Sequence, residues 1–320
     1  MLISIIIPVY NAEKTIRNSL ESLSRQEGDF EVVFVNDGST DRTEDVIRSF
    51  MEDSHLNGRI LHQENAGVAA ARNTGLDAAE GDYLMFLDAD DSLADDALKL
   101  VSADLVDGPD ILGWDWVNDE NGKIRQMRQA SYGTAQEALT ALMGGTMKWN
   151  LWLFAVRRER MIANGIRFIP GEDMGEDMQF MLKAFSCART VKQTHQVIYR
   201  YNASNPASIS AHMNERRRSE VSANLASAVE YLQQSDYRQL CGSHLPHLQL
   251  YIKRPLLISS SREDYETWYR WFPESNAFAT KNKSLPFHTR LMQGWAAKRL
   301  WLLLKIYNLL MYKILYPLIR

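Results

Sequence analysis

Only two cysteines, Cys187 and Cys241, occur in the 320 residues. They are too few for a disulfide framework and fit no metal-ligand spacing, so a reducing cytoplasmic setting is the expectation. No clean membrane-spanning run is present either. The most apolar stretch, near the C-terminus, is interrupted by Lys305 and Lys313, whereas a spanning helix needs roughly 20 largely uncharged residues. Met1 leads straight into Leu2-Ile3-Ser4-Ile5-Ile6-Ile7-Pro8, with no basic leader or small-residue cleavage site, and no secretory signal is expected. Internal repeats, low-complexity tracts and a sharp linker are also lacking. Acidic residues run out at Glu274: beyond it stand Lys281, Lys283, Arg290, Lys298, Arg299, Lys305, Lys313 and Arg320, giving the tail +8 against a net charge of −4, and the rest −12. A chain polarised in this way has a basic end suited to an anionic surface. Its hydrophobic and charged fractions, 45% and 24%, are those of an ordinary soluble protein long enough to bury a substantial core.

What is present first is alternation. Leu2 to Val9 reads as a strand. Asn11 is placed to cap a helix with Ile16, Leu20 and Leu23 on one face. Glu31 to Val35 reads as a second strand, and the turn Asn36-Asp37-Gly38-Ser39-Thr40-Asp41 offers Ser39 or Thr40 as a cap. Arg59 to Gln63 is a weaker strand before an alanine-rich helix that runs from Gly67 through Ala79. Strand and helix signals at this spacing predict an α/β fold, a mostly parallel sheet with helices on both faces. Further on, strands are expected at 110–117, 123–129 (after an Asn121-Gly122 turn) and 191–201. Helices are expected at 135–143 and 176–188. From Glu215 the pattern is helical, and a boundary near 212 divides the chain into 1–212 and a helical extension, 213–320.

The most informative segment is Tyr83-Leu84-Met85-Phe86-Leu87-Asp88-Ala89-Asp90-Asp91. A short apolar run that ends in carboxylates delivers them where open α/β sheets bind ligands. Hard oxygen ligands there suit Mg²⁺ or Mn²⁺ carrying a phosphorylated substrate. The alternative is that Asp90, Asp91 or Ser92 caps a helix starting near Leu93, with Asp95 and Asp96 complementing its dipole.

Five ordered segments resemble family 2 glycosyltransferases of GT-A fold: Ser4 to Asn11, Val35 to Asp41, Asn65-Ala66-Gly67 through Arg72-Asn73, Phe86 to Asp91, and Gly175-Glu176-Asp177. The resemblance covers residues 1 to about 210. It implies an inverting, metal-dependent transfer of a sugar from a nucleotide donor, of UDP type, to a carbohydrate or lipid-linked acceptor in surface polysaccharide synthesis. It places Pro8 and Tyr10 against the base or ribose, Asp37 as acceptor of a uracil hydrogen bond, and Arg72 at the base. Asp90 becomes the direct ligand of Mg²⁺ or Mn²⁺, with Asp88 on the ribose or the metal shell and Asp91 capping the next helix. Asp177 becomes the general base, with Glu176 as its rival or support. Trp149 and Trp152, near Glu176, line the acceptor pocket or pack in the core. Asn205 to Ser210 resembles the loop that closes over the diphosphate but carries no basic residue; Arg200 and His212 lie nearby.

Residues 295–320 separate charged from apolar positions on a helical wheel. Such a basic, aromatic, amphipathic helix is suited to an anionic membrane interface, on the cytoplasmic face; packing on its own domain or on a second subunit of a homo-oligomer is the alternative. No nucleic-acid partner is expected. Two other functions stand beside the transferase. A sugar nucleotidyltransferase wants a Gly-rich, basic loop after the first strand, where this chain has Pro8-Val9-Tyr10-Asn11. A non-catalytic scaffold would have lost one of Asp88, Asp90 or Asp177.

Overall fold

The computed structural model describes residues 1–204, 213–259 and 261–311. Its first half is the alternation expected: β1 (Ile3–Val9), α1 (Ile16–Ser24), β2 (Phe30–Asp37), α2 (Thr43–Ser54), β3 (Gly58–Gln63), α3 (Val68–Ala78) and β4 (Tyr83–Phe86). Then come β5 (Ser92–Leu93), α4 (Ala97–Asp104), β6 (Ile111–Glu120), β7 (Lys123–Met127), α5 (Ala135–Gly144), β8 (Phe154–Arg157), α6 (Arg158–Ala163), α7 (Glu176–Cys187) and β9 (Val191–Asn202).

One sheet runs in the order β3-β2-β1-β4-β8-β6-β9-β5, with β7 paired to β6. β1 pairs in parallel with both β2 and β4, and β2 with β3. The chain therefore winds outward from β1 to β3 and returns to the other side of β1. That reversal makes a crevice at the carboxyl ends of β1 and β4. Ile5, Ile6 and Ile7 of β1 and Val32 to Val35 of β2 are fully buried, as continuous apolar strands covered on both faces must be. Beyond β4 the sheet becomes mixed: β8 runs antiparallel to β4 and β6, and β9 parallel to β6 with an irregularity around Asp115.

Two compact units result, Met1–Ala138 with Trp149–Ser235, and Leu139–Lys148 with Asp236–Arg320. The boundary thus falls after α8 (Glu215–Gln233) rather than near 212. The physical reason is that Asn224 of α8 donates from Nδ2 to the carbonyls of Glu172 and Met174, bracing the loop that enters α7.

The second unit is helical: α9 (Arg238–Ile252), α10 (Pro255–Ile258), α11 (Arg262–Arg270), α12 (Phe287–Ala297) and α13 (Trp301–Asn308). A continuous helix from 295 is not formed. α12 ends at Ala297, Arg299 takes φ +57°, and α13 starts two residues on. Asn308 Nδ2 donates to the carbonyls of Leu257 and Ser259, and Trp301 Nε1 to Glu266, so α13 packs on its own unit. Residues 312–320 of the expected helix, and the 205–210 loop with His212, lie outside the described residues. No helix among the described residues is long and apolar enough to cross a membrane.

α3 lies against β1 through Gly75, where an added Cβ would collide with Cγ2 of the fully buried Ile6. Helix propensity alone makes Gly→Ala stabilising by about 1 kcal/mol. Overpacking against an immobile core residue costs about 1–3 kcal/mol, and the net effect of Gly75→Ala is therefore destabilisation. A lowered urea midpoint at constant m-value is the expected result; a raised midpoint would show that the helix–sheet contact yields.

Candidate active site

The acids of the β4 end come first. β4 stops at Phe86, and the amide of Asp91 bonds the carbonyl of Asp88 in a turn. Strand alternation is therefore not what groups Asp88 and Asp90; the turn is. Asp91 does not cap a helix, because β5 follows and α4 begins only at Ala97. Its fully buried carboxylate instead accepts from Tyr199 Oη at 2.8 Å and from the Asn202 amide at 2.7 Å. Tyr199 Oη also accepts from the Asp88 amide at 3.2 Å. The acidic turn is thus tied to β9.

The other half of the cluster comes from the start of α7, far along the chain. Gly175, at φ +82°, turns the backbone into α7, and Glu176 and Asp177 occupy its first turn. Between the two halves lies Arg72 of α3, only 4% exposed. Its Nη1 donates to Glu176 Oε1 at 2.6 Å and Asp177 Oδ1 at 3.0 Å, and its Nη2 to Asp88 Oδ1 at 3.2 Å. Its Nε is buried without a hydrogen-bond partner, and its guanidinium lies 5.7 Å from the Phe168 ring centroid. Arg72 is therefore not an exposed helix charge; it joins three carboxylates. Asp177 Oδ2 is held as well, by the Leu151 amide at 3.2 Å.

Crowding sets the electrostatics. Burial, with the charges of Asp177 and Asp90, raises Asp88 to about 6 against the pull of Arg72. Burial and Asp177 raise Glu176 to about 8, again against Arg72. Burial, Asp88 and Asp90 raise Asp91 to about 8. Arg72, facing three acids, is held charged more firmly than an ordinary arginine.

Asp37 does not bond within its own turn. Its oxygens accept from Gln63 Nε2 at 2.7 Å and from the Ala66 and Gly67 amides at 2.9 and 3.0 Å, which fixes the loop into α3. The N-terminus of α3 is capped from a distance: Asp173 Oδ1 accepts from the Ala69 amide at 2.9 Å, so Asp173 is not a solvated acid. Gly67 has φ +89°, and a Cβ there would strike Asp173. Asn11 likewise caps nothing; its Oδ1 accepts from the Thr40 amide at 2.8 Å and links the loops after β1 and β2. Pro8 pairs with Val35 at the end of β1, and Tyr10 beyond it is 54% exposed.

Trp152 is a core residue. It stacks on Tyr199 at 4.5 Å and on Tyr201 at 5.6 Å and is 6% exposed. Trp149 is half-buried, just ahead of the Leu151 amide that holds Asp177. Tyr199, Asn202 and Asp173 were not singled out in the sequence. Tyr199 looks like any strand tyrosine there, and Asp173 was one acid in a run of them.

Among the described residues no three acids, histidines or cysteines converge as a ready metal cage. A hard cation that takes most of its ligands from phosphates and water needs only one or two carboxylates from the protein, and Asp88 and Asp90, close enough to repel each other, fit that requirement.

A parallel-rich sheet with an acidic turn at its switch point is an architecture of ligand-binding α/β proteins, and comparison places it. The chain belongs to glycosyl transferase family 2, which residues 4–175 match, and its fold is of the GT-A type. EpsJ of Bacillus subtilis, described as an uncharacterized glycosyltransferase, is 28% identical over 92% of this chain and 90% of its own length. TarS of Staphylococcus aureus, a poly(ribitol-phosphate) β-N-acetylglucosaminyltransferase, is 28% identical over 63% of this chain and 35% of TarS. The crystal structure of TarS 1–349 with UDP-GlcNAc superposes with a TM-score of 0.71 at 20% identity, covering 96% of this chain and 89% of that one. The mannosyltransferase PcManGT of Pyrobaculum calidifontis, solved with GDP-Man and Mn²⁺, gives 0.57 at 19% identity, covering 96% and 84%. At these identities the structures establish the fold alone.

The raised carboxyl groups imply a pH dependence. In the unfolded chain Glu176 titrates near 4.5, and in the fold near 8. The folded state holds that proton more tightly, so its contribution is fully present below 4.5 and is lost as pH rises through 8. In chelator, the melting temperature should decline over that window, and Glu176→Gln should flatten the decline. Parallel curves for the two proteins would show that Glu176 ionises normally.

Proposed function

We propose that this chain is an inverting, metal-dependent glycosyltransferase that moves a sugar from a UDP-sugar to a carbohydrate or lipid-linked acceptor in surface polysaccharide synthesis. The observation that carries this reading is the Arg72 bridge between Asp88 and Asp177: a donor-side acid and an acid suited to base catalysis meet at one guanidinium. Relatives that act on nucleotide sugars and cell-surface polymers, TarS among them, support the substrate class.

Each residue has a defined task. Asp37 keeps capacity for one more donor after its three bonds, which suits the ring N–H of uracil, and exposed Tyr10 offers a face to the base beside Pro8. Asp90, with Asp88, holds Mg²⁺ or Mn²⁺; when bound, the cation supplies Lewis-acid neutralisation of the departing diphosphate, worth several kcal/mol. Asp177 takes the proton of the acceptor hydroxyl as that oxygen bonds to the anomeric carbon. The bond from that carbon to the diphosphate oxygen breaks on the opposite side, its electron pair leaves with the nucleotide, and configuration inverts without a covalent intermediate. Arg72 and the Leu151 amide fix the two oxygens of Asp177 for that transfer, and Trp149 stands beside the acceptor. Glu176, protonated near neutral pH, shares Arg72 without adding a full charge. Basic residues of the tail attach the enzyme to the inner face of an anionic membrane, where a lipid-linked acceptor is presented.

Asp177→Asn should keep donor affinity in calorimetry while lowering nucleotide release in a transfer assay by about 10²–10⁴-fold. Unaltered turnover would remove Asp177 from this role. Asp90→Ala should abolish the Mn²⁺-dependent part of UDP binding; equal binding by parent and variant, with and without Mn²⁺, would contradict the metal assignment.

A further inference from the structure

The second unit contains a cavity of about 190 Å³ between α10 and α12. Arg254 and His288 line it together with Leu257, Ile258, Met292 and Gln293. No acidic residue is among its walls. The Arg254 guanidinium rests 5.1 Å from the Tyr251 ring centroid and makes no ion pair among the described residues. His288 is exposed and also has no ion-pair partner there. Gln293 is fully buried, and both its Oε1 and its Nε2 lack a hydrogen-bond partner. A buried amide left unpaired at both ends costs free energy that a polar ligand, or water, recovers. The volume is below the roughly 300 Å³ at which whole small-molecule sites usually begin, so it suits a headgroup rather than a nucleotide sugar.

The surroundings say what kind of molecule carries that headgroup. Ile258, on the wall, is 44% exposed. Leu257 lines the cavity and offers its carbonyl to Asn308 of α13. α13 and the two residues after it are apolar on the outside: Leu304 and Asn308 are buried, while Leu302, Leu303, Ile306, Leu309 and Leu310 are 40–70% exposed. Lys298 and Lys305 adjoin this face in sequence, in a tail without acids, while Arg299 is paired with Glu266 at 2.9 Å. An exposed apolar stripe bordered by cations matches a bilayer interface.

We propose that the second unit holds a recognition site for the phosphate headgroup of an anionic lipid, with Arg254 and His288 on the phosphate and the outer face of α13 in the acyl boundary. This rests on the membrane attachment proposed above but names a specific site. Arginine suits the role because its fork donates two parallel hydrogen bonds to phosphate.

Calorimetry on the full chain with sub-micellar dihexanoyl phosphatidic acid, and separately with inorganic phosphate, tests the site. The lipid should bind at one site more tightly than phosphate, and Arg254→Gln should weaken it by about tenfold, the effect of losing a charge-assisted hydrogen bond. His288→Ala, at an exposed and unpaired position, should weaken it without disturbing the fold. UDP affinity should stay unchanged in both. Equal affinity for lipid and phosphate, no lipid binding, or variants that bind as the parent does would each overturn the proposal. Flotation on anionic vesicles separates it from the broader reading: if Ile306→Glu abolishes flotation while Arg254→Gln leaves phosphatidic acid binding intact, attachment stands and the headgroup site falls. If Ile306→Glu instead dissolves a dimer seen by light scattering, α13 meets a second copy and the lipid site is wrong.

Discussion

A buried guanidinium cannot stand alone. Removing Arg72 from water is costly, and the acid groups of Asp88, Glu176 and Asp177 compensate it. The dependence is mutual: deleting one partner of such a buried set typically costs about 3–5 kcal/mol because the others are left uncompensated. α3, the turn after β4 and the start of α7 are consequently held in one arrangement by charge. The surrounding details serve that arrangement. Asp37 and Asp173 fix the entry of α3 from two sides, Tyr199 and Asn202 anchor the acidic turn through Asp91, and α8 supports the loop into α7. Excess negative charge is the functional corollary. With more acids than bases in the cluster, the site suits the divalent cation and the proton acceptor proposed above.

Much of the first unit was legible because its signals are local. Apolar runs such as Ile3–Val9 and Tyr83–Phe86 are buried strands on any reading, and the acids that follow β4 stand at the sheet's carboxyl end by geometry alone. The pairing of Arg72 with Asp177 was not legible, since nothing at either position announces a partner across 105 residues of chain. Capping assignments failed for a related reason. Asn11 and Asp91 both have cap-forming chemistry, yet each found a tertiary donor instead. Trp152 was ambiguous between sugar platform and core, and the stack with Tyr199 and Tyr201 decides for the core.

The second unit was read least well. Its helices are short and broken, and Arg299 at positive φ divides what periodicity presents as one helix. Helical periodicity reports which residues share a face, not which face the neighbouring helices cover. In α13 the covered face is the narrower one, made of Leu304 and Asn308, and a broad apolar face remains outside. That inversion separates the unit from an ordinary helical cap and connects its composition, basic and leucine-rich, with a surface rather than a core.

The central claim is that the acids after β4 and the acid opening α7 work in one cleft. Anomalous diffraction from crystals grown with Mn²⁺ and a non-hydrolysable UDP-sugar tests it most directly. The account predicts a single manganese peak beside Asp90 and Asp88, with the donor sugar on the side of Asp177. A manganese peak away from Asp88 and Asp90, or a donor sugar turned from Asp177, would contradict it.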